Sequence, residues 1–191
     1  MRTFISLELP SEVKQEIALA QQELRFCLPQ VHLVNPQTIH LTLAFLGSIS
    51  PNKIQIIKKI LEKIVSAPIK LKLHRLGSFP NPKKPRIIYL DLKGDLDELD
   101  RLVKNLRYQL KKKCVYFDDK PFSAHITLAR IKKRQNLTTV ITKIQIPPKE
   151  FLAEEVNFTK SILTPAGPIY ETIKEVFLNK PTYQTCELNP N

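Results

Sequence analysis

Two stretches of this 191-residue chain, HLTLAFLG at residues 40–47 and HITLARIK at residues 125–132, are written in nearly the same letters. The chain has only four histidines, and two of them open these runs. In an extended strand successive side chains alternate faces. His40 and Thr42 then point one way while Leu41, Leu43 and Phe45 point the other, and His125 and Thr127 oppose Ile126 and Leu128 in the same manner. Each run therefore reads as a strand with an apolar face for a core and a second face that carries one imidazole and one hydroxyl.

The surroundings of the two runs repeat as well. Arg2 maps onto Arg86 at an offset of 84 residues, while His40 onto His125 and Pro80 onto Pro165 keep an offset of 85. That period is too long for a solenoid and describes a unit of about half the chain written twice, over residues 2–80 and 86–165. In the first copy, residues 2–9 read as a strand that Pro10 breaks. Ser11 is placed to cap a helix with Val13, Ile17, Ala20 and Leu24 on one face. The strand at residues 38–47 follows, then Ser50-Pro51 as cap and first-turn proline for a helix with Ile54, Ile57, Leu61 and Ile64 aligned, then an alternating strand at residues 69–80. The second copy has a strand at residues 86–92, a capping-box-like Asp95 and Glu98, and the helical stripe Leu99, Val103, Leu106 and Leu110. It continues with the strand at residues 121–130, a short helix near residues 136–144 and a strand at residues 154–165.

The expected fold is α+β and bilobal: two mainly antiparallel sheets facing a central cleft, with helices on the outer faces. Residues 1–180 form one such domain, residues 169–178 supply a strand that closes one sheet, and residues 181–191 read as a loose tail.

Composition narrows the partners. Thirty Lys and Arg against eighteen Asp and Glu give a net charge of +12, which favours polyanions such as nucleic acid. RIKKR at residues 130–134, just past the second histidine strand, is the run best placed to steer RNA, whereas KKKC at residues 111–114 reads as solvated and complementary to a helix C-terminus. Cys27, Cys114 and Cys186 are too scattered for a disulfide framework or a zinc site, which fits a reducing cytoplasm. No apolar run approaches the ~20 residues that span a bilayer. The four glycines form no phosphate-cradling loop, so ATP use is not expected.

Two imidazoles facing each other across a cleft suit acid–base chemistry, because one can accept a proton while the other donates one. With the two threonine hydroxyls they match a phosphate centre, at which the attacking and leaving oxygens lie in line. HLTL at residues 40–43 and HITL at residues 125–128 resemble the paired HxTx motifs of the 2H phosphoesterases. With RLGSFP at residues 75–80 and LTPAGPIYE at residues 163–171, the chain resembles the bacterial and archaeal RNA 2′,3′-cyclic phosphodiesterases over about residues 2–178. That resemblance implies opening of a terminal 2′,3′-cyclic phosphate on RNA to a 2′-phosphomonoester without a metal, and no cofactor is expected; the duplication supplies the cleft within one chain, so a monomer suffices. The resemblance also implies His40 as proton donor to the departing O3′, His125 as the acceptor that activates water, and Thr42, Thr127 and Arg130 as phosphate ligands. Arg130 lies an odd number of residues from His125, on the opposite strand face unless the strand ends or bulges first.

His32 and His74 lack a threonine partner and read as structural or surface residues. Two other readings compete. One is a non-catalytic RNA-end binding module whose histidines only ligate phosphate. The other is a 2H enzyme acting on another cyclic phosphate or on a 2′-5′ linkage. No single aromatic stands out from the sequence as the stacking partner of a terminal base.

Overall fold

A computed structural model describes residues 2–64, 66–133, 135–164 and 167–178. The elements run β1 (Arg2–Leu7), α1 (Ser11–Cys27), β2 (His32–Leu33), a 3-10 turn (Pro36–Thr38), β3 (Leu41–Ser48), α2 (Pro51–Glu62), β4 (Ile69–Phe79) and β5 (Ile87–Gly94). They continue with α3 (Leu96–Lys112), β6 (His125–Arg130), α4 (Thr138–Lys143), β7 (Glu150–Ala153), β8 (Glu155–Thr164) and β9 (Gly167–Phe177).

The fold is α+β, built on a curled antiparallel sheet with the order β7-β4-β5-β6-β3-β1-β8-β9, to which β2 adds beside β6. Two four-stranded halves meet at the middle of that path, where the pairing of β3 with β6 is the single bridge Leu41–Ile126. Strands equivalent by the 85-residue offset occupy equivalent places: β3 and β6 flank the seam, β1 and β5 lie next, and β8 and β4 follow. The sequence order crosses over, however. β4 follows the first histidine strand in the chain yet pairs with β5 beside the second, and β8 returns to pair with β1. β9 pairs along the length of β8 and closes that half.

The helices bury the faces their periodicity defines. Val13, Ile17, Ala20 and Leu24 of α1, Ile57 and Leu61 of α2, and Leu99, Val103, Leu106 and Leu110 of α3 are buried against Leu41, Leu43, Leu90, Ile126 and Leu128 of the sheet. The expected caps differ in detail. Ser11 is the first helical residue after Pro10, the Ser50 hydroxyl donates to the Asn52 side chain and accepts no helix N–H, and Asp95 occupies its N-cap without a side-chain bond. The Asp95 backbone is instead drawn into the sheet, its N–H donating to the Lys70 carbonyl at 2.8 Å. Pro165, Arg134, Cys186 and the tail at residues 181–191 lie outside the described residues.

Candidate active site

The first histidine strand is shorter than its sequence suggests, and the shortening places His40. Asn35 caps the turn Pro36–Thr38 by accepting the Gln37 N–H at 3.0 Å, so β3 begins only at Leu41. The Thr38 carbonyl then lies 2.8 Å from His40 Nδ1. On the other half the Ser123 carbonyl lies 2.8 Å from His125 Nδ1. A carbonyl can only accept, so Nδ1 carries the proton in both rings and Nε2 is the nitrogen left to the cleft. Burial pushes the His40 pKa below its usual value, opposed by the Thr38 carbonyl bond and by Glu8, and reinforced by Lys14.

The bridge Leu41–Ile126 sets the relation between the two motifs. Continued in that antiparallel register, His40 stands level with Thr127 and Thr42 level with His125, all on the face opposite Leu41 and Ile126. The four groups line one cavity of about 770 Å³, with Arg130, Arg2, Lys120, Phe45, Tyr116 and Tyr170 also on its walls. All five residues singled out from the sequence, His40, Thr42, His125, Thr127 and Arg130, are thus brought together.

Arg130 arrives through a bulge. β5 pairs Tyr89 with Thr127 but Ile88 with Ala129, leaving Leu128 as an extra residue, so Leu128 and Ala129 are buried in succession and Arg130 emerges on the face of His125 and Thr127. β3 does the same against β1: Ser6 pairs with Thr42 and Ile5 with Ala44, skipping Leu43. The expectation that Phe45 shares a face with Leu41 and Leu43 is therefore corrected. Phe45 is 54% exposed and lines the cleft at the position equivalent to Arg130.

Each histidine also has aromatic walls. Phe4 stacks on His40 with ring centroids 4.5 Å apart, and Tyr170 meets it edge-on at 5.5 Å. Phe79 and Tyr89 meet His125 edge-on at 5.1 and 5.5 Å. Phe4 and Tyr89 are mates in the repeat, an 85-residue pairing present in the sequence but visible as meaningful only once both rings touch a histidine. Arg2, Phe45, Tyr116 and Tyr170 were not singled out from the sequence. Burial of the ring raises the Tyr170 pKa, against Arg130 and Arg2, which line the same cavity and act to lower it.

The rim is held from α3. Arg107 donates to the Lys120 carbonyl at 2.7 Å and lies over Phe117 and Phe122, and the Asp118 N–H donates to the Phe45 carbonyl at 2.8 Å. Tyr116 thereby lies over Gly47, at 3.9 Å from where a β-carbon would stand. Of RIKKR, Lys132 and Lys133 line a separate hollow with Cys27 and Gln30. His32 is exposed on β2, and His74 lines a second cavity of about 480 Å³ behind Tyr89. Among the described residues, no helix is long and apolar enough to cross a membrane.

A family model described as LigT-like phosphoesterase matches the chain twice, over residues 7–89 and 90–170. The chain belongs to this family, and the protein is a phosphoesterase of the two-histidine class. Among its relatives, the RNA 2′,3′-cyclic phosphodiesterase of Archaeoglobus fulgidus is 30% identical over 91% of this chain and 98% of its own. That of Methanocaldococcus jannaschii is 33% identical over 92% and 99%. The crystal structure of TT0787 of Thermus thermophilus superimposes with a TM-score of 0.81 at 29% identity, over 95% of this chain and all of that one. The Escherichia coli LigT complexed with ATP, at 24% identity and a TM-score of 0.73, shares the fold.

Proposed function

We propose that the protein hydrolyses a terminal 2′,3′-cyclic phosphate on RNA to a 2′-phosphomonoester by metal-independent two-histidine general acid–base catalysis. The observation that carries this reading is the matched pair of imidazoles, each with Nδ1 tied to its own backbone and Nε2 left to one cleft. His125 Nε2 takes a proton from water as the water oxygen bonds to phosphorus, and the P–O3′ bond breaks as His40, doubly protonated in the reactive form that the bound phosphate's negative charge favours, gives its Nε2 proton to O3′. Thr42, Thr127 and Arg130 bind the non-bridging oxygens, with Arg130 supplying the charge-assisted bonds. Phe45 and Tyr116 offer π-faces on the His40 side for the terminal base. The relatives' activity on RNA 2′,3′-cyclic phosphate supports the substrate. The cleft is built within one chain, so we infer a single bilobal unit acting as a monomer, in the reducing cytoplasm that the scattered cysteines fit.

The test is incubation with a short RNA ending in 2′,3′-cyclic phosphate in excess EDTA. A 2′-phosphate product is expected, and turnover by His125→Ala lower by about 10²- to 10⁴-fold with its melting temperature retained. A 3′-phosphate would reverse the substrate in the cleft. Saturable binding without product would make the protein a binding module, and undiminished activity in His125→Ala would remove the assigned base.

A further inference from the structure

We infer that Gln21, a residue of α1 outside the cleft, is the positioning residue for Arg130; the inference rests on the reading of Arg130 as a phosphate ligand. Gln21 is 2% exposed, and an amide so deep in a core needs partners for its polar atoms. Its Nε2 donates to the Val34 carbonyl at 2.8 Å and to the Leu128 carbonyl at 2.8 Å, the latter 107 residues away in the chain. Rotating the amide by half a turn would set Oε1 against both carbonyls, so these two bonds fix its orientation. Oε1 has no partner among the described residues, which leaves this pair of bonds as the polar engagement of the side chain.

Leu128 is the extra residue of the bulge. Its carbonyl receives Gln21 Nε2 and also the Val34 N–H at 2.8 Å, and β2 pairs with Ala129 and Arg130 just beyond. The carbonyl of the residue left without a partner on β5 is therefore satisfied by α1 and by the segment after β2. Without the extra residue, alternation from His125 would turn Arg130 toward the helices; with it, the guanidinium lines the cleft. Gln21 does not line the cleft, and its hydrogen bonds reach a cleft residue only at the Val34 backbone, so its influence on phosphate passes through the strand.

The experiment is a four-protein cycle: wild type, Gln21→Met, Arg130→Ala and the double variant. Methionine removes both donors at nearly constant volume. Inorganic phosphate affinity is read by calorimetry, kcat/KM on RNA ending in 2′,3′-cyclic phosphate is read in EDTA, and thermal melting records the structural cost. With Arg130 present, Gln21→Met is expected to weaken phosphate binding and kcat/KM about tenfold; in the Arg130→Ala background the same change should cost less than about twofold. Equal losses in both backgrounds would leave Gln21 a purely structural residue and overturn the inference, as would no loss in either. If Gln21→Met does not fold, Gln21→Asn keeps a buried amide with a reach too short for both carbonyls and runs through the same cycle. A wild type that binds phosphate with this coupling but turns over no cyclic phosphate would sink the proposed reaction and leave the inference standing. A wild type that binds no phosphate would remove both Arg130's role and this one.

Discussion

Each cleft histidine commits one ring nitrogen to a carbonyl two residues upstream, which fixes the ring without any side-chain partner. The two environments differ in that His40 is desolvated under Phe4 and Tyr170, and burial depresses its pKa. The sign of the consequence for stability follows from linkage. Above about pH 6.5 the ring is neutral in both folded and unfolded chains and contributes nothing to the pH dependence. As the pH falls below that value the unfolded chain takes a proton the folded chain refuses, so stability is lost until the depressed folded pKa is passed. Melting temperatures at pH 8 and pH 5 should therefore drop less in His40→Gln than in the wild type. Equal drops would mean that the ring is as hydrated in the fold as out of it.

At the scale of elements, β4 and β5 build the second histidine's wall by giving up a side chain. A β-carbon at Gly77 would lie 2.4 Å from Tyr89 Cζ and 2.6 Å from its hydroxyl, so glycine lets the tyrosine ring lie flat over β4, stacked on Phe79 and edge-on to His125. Gly77→Ala should displace that ring, destabilise the fold by about 1–3 kcal/mol and lower kcat/KM. Both effects should vanish when the same change is made in Tyr89→Ala, as chemical denaturation and steady-state kinetics on the four proteins would show. Much of this level was legible in the sequence. Apolar spacing gave α1, α2 and α3 their buried faces, and alternation put His40, Thr42, His125 and Thr127 toward a common side. The bulge of β6 is legible only as a condition, that Arg130 joins the face of His125 if the strand ends or bulges first, and the bulge of β3 is hidden because an extra apolar residue looks like ordinary strand. Yet Leu43-Ala44 and Leu128-Ala129 break the alternation at the same place in both copies, and that coincidence was the available signal. β2 and β7, two and four residues long, are too short to show a period. The crossover of β4 and β8 was equally hidden, because periodicity says which face of a strand is buried and nothing about which neighbour it pairs with.

At the scale of the molecule, the charge of +12 acts through where it lies. Arg2, Lys120 and Arg130 stand on the cleft walls, ahead of the much larger diffuse field of surface lysines. For a single-stranded RNA, log(kcat/KM) should fall with log salt by about 0.7 for each phosphate contacted beyond the reacting one. A 2′,3′-cyclic mononucleotide should show a shallower line. Parallel lines for both substrates would confine recognition to the terminal nucleotide.

The seam between the halves has a mechanical meaning. Among the described residues β3 and β6 are joined at one rung, and His40 and His125 are the immediate chain neighbours of the two residues that form it. The single rung is not the only tie: β2 of the first half pairs with β6 of the second, Gln21 and Val34 both bond the Leu128 carbonyl, and the Asp118 N–H fastens the Tyr116 loop to Phe45 of β3. The cleft is thus sewn shut on either side of the place where its two sheets barely touch. A gap left in the ladder makes room for a phosphate, and the stitches around it keep the imidazoles in gauge.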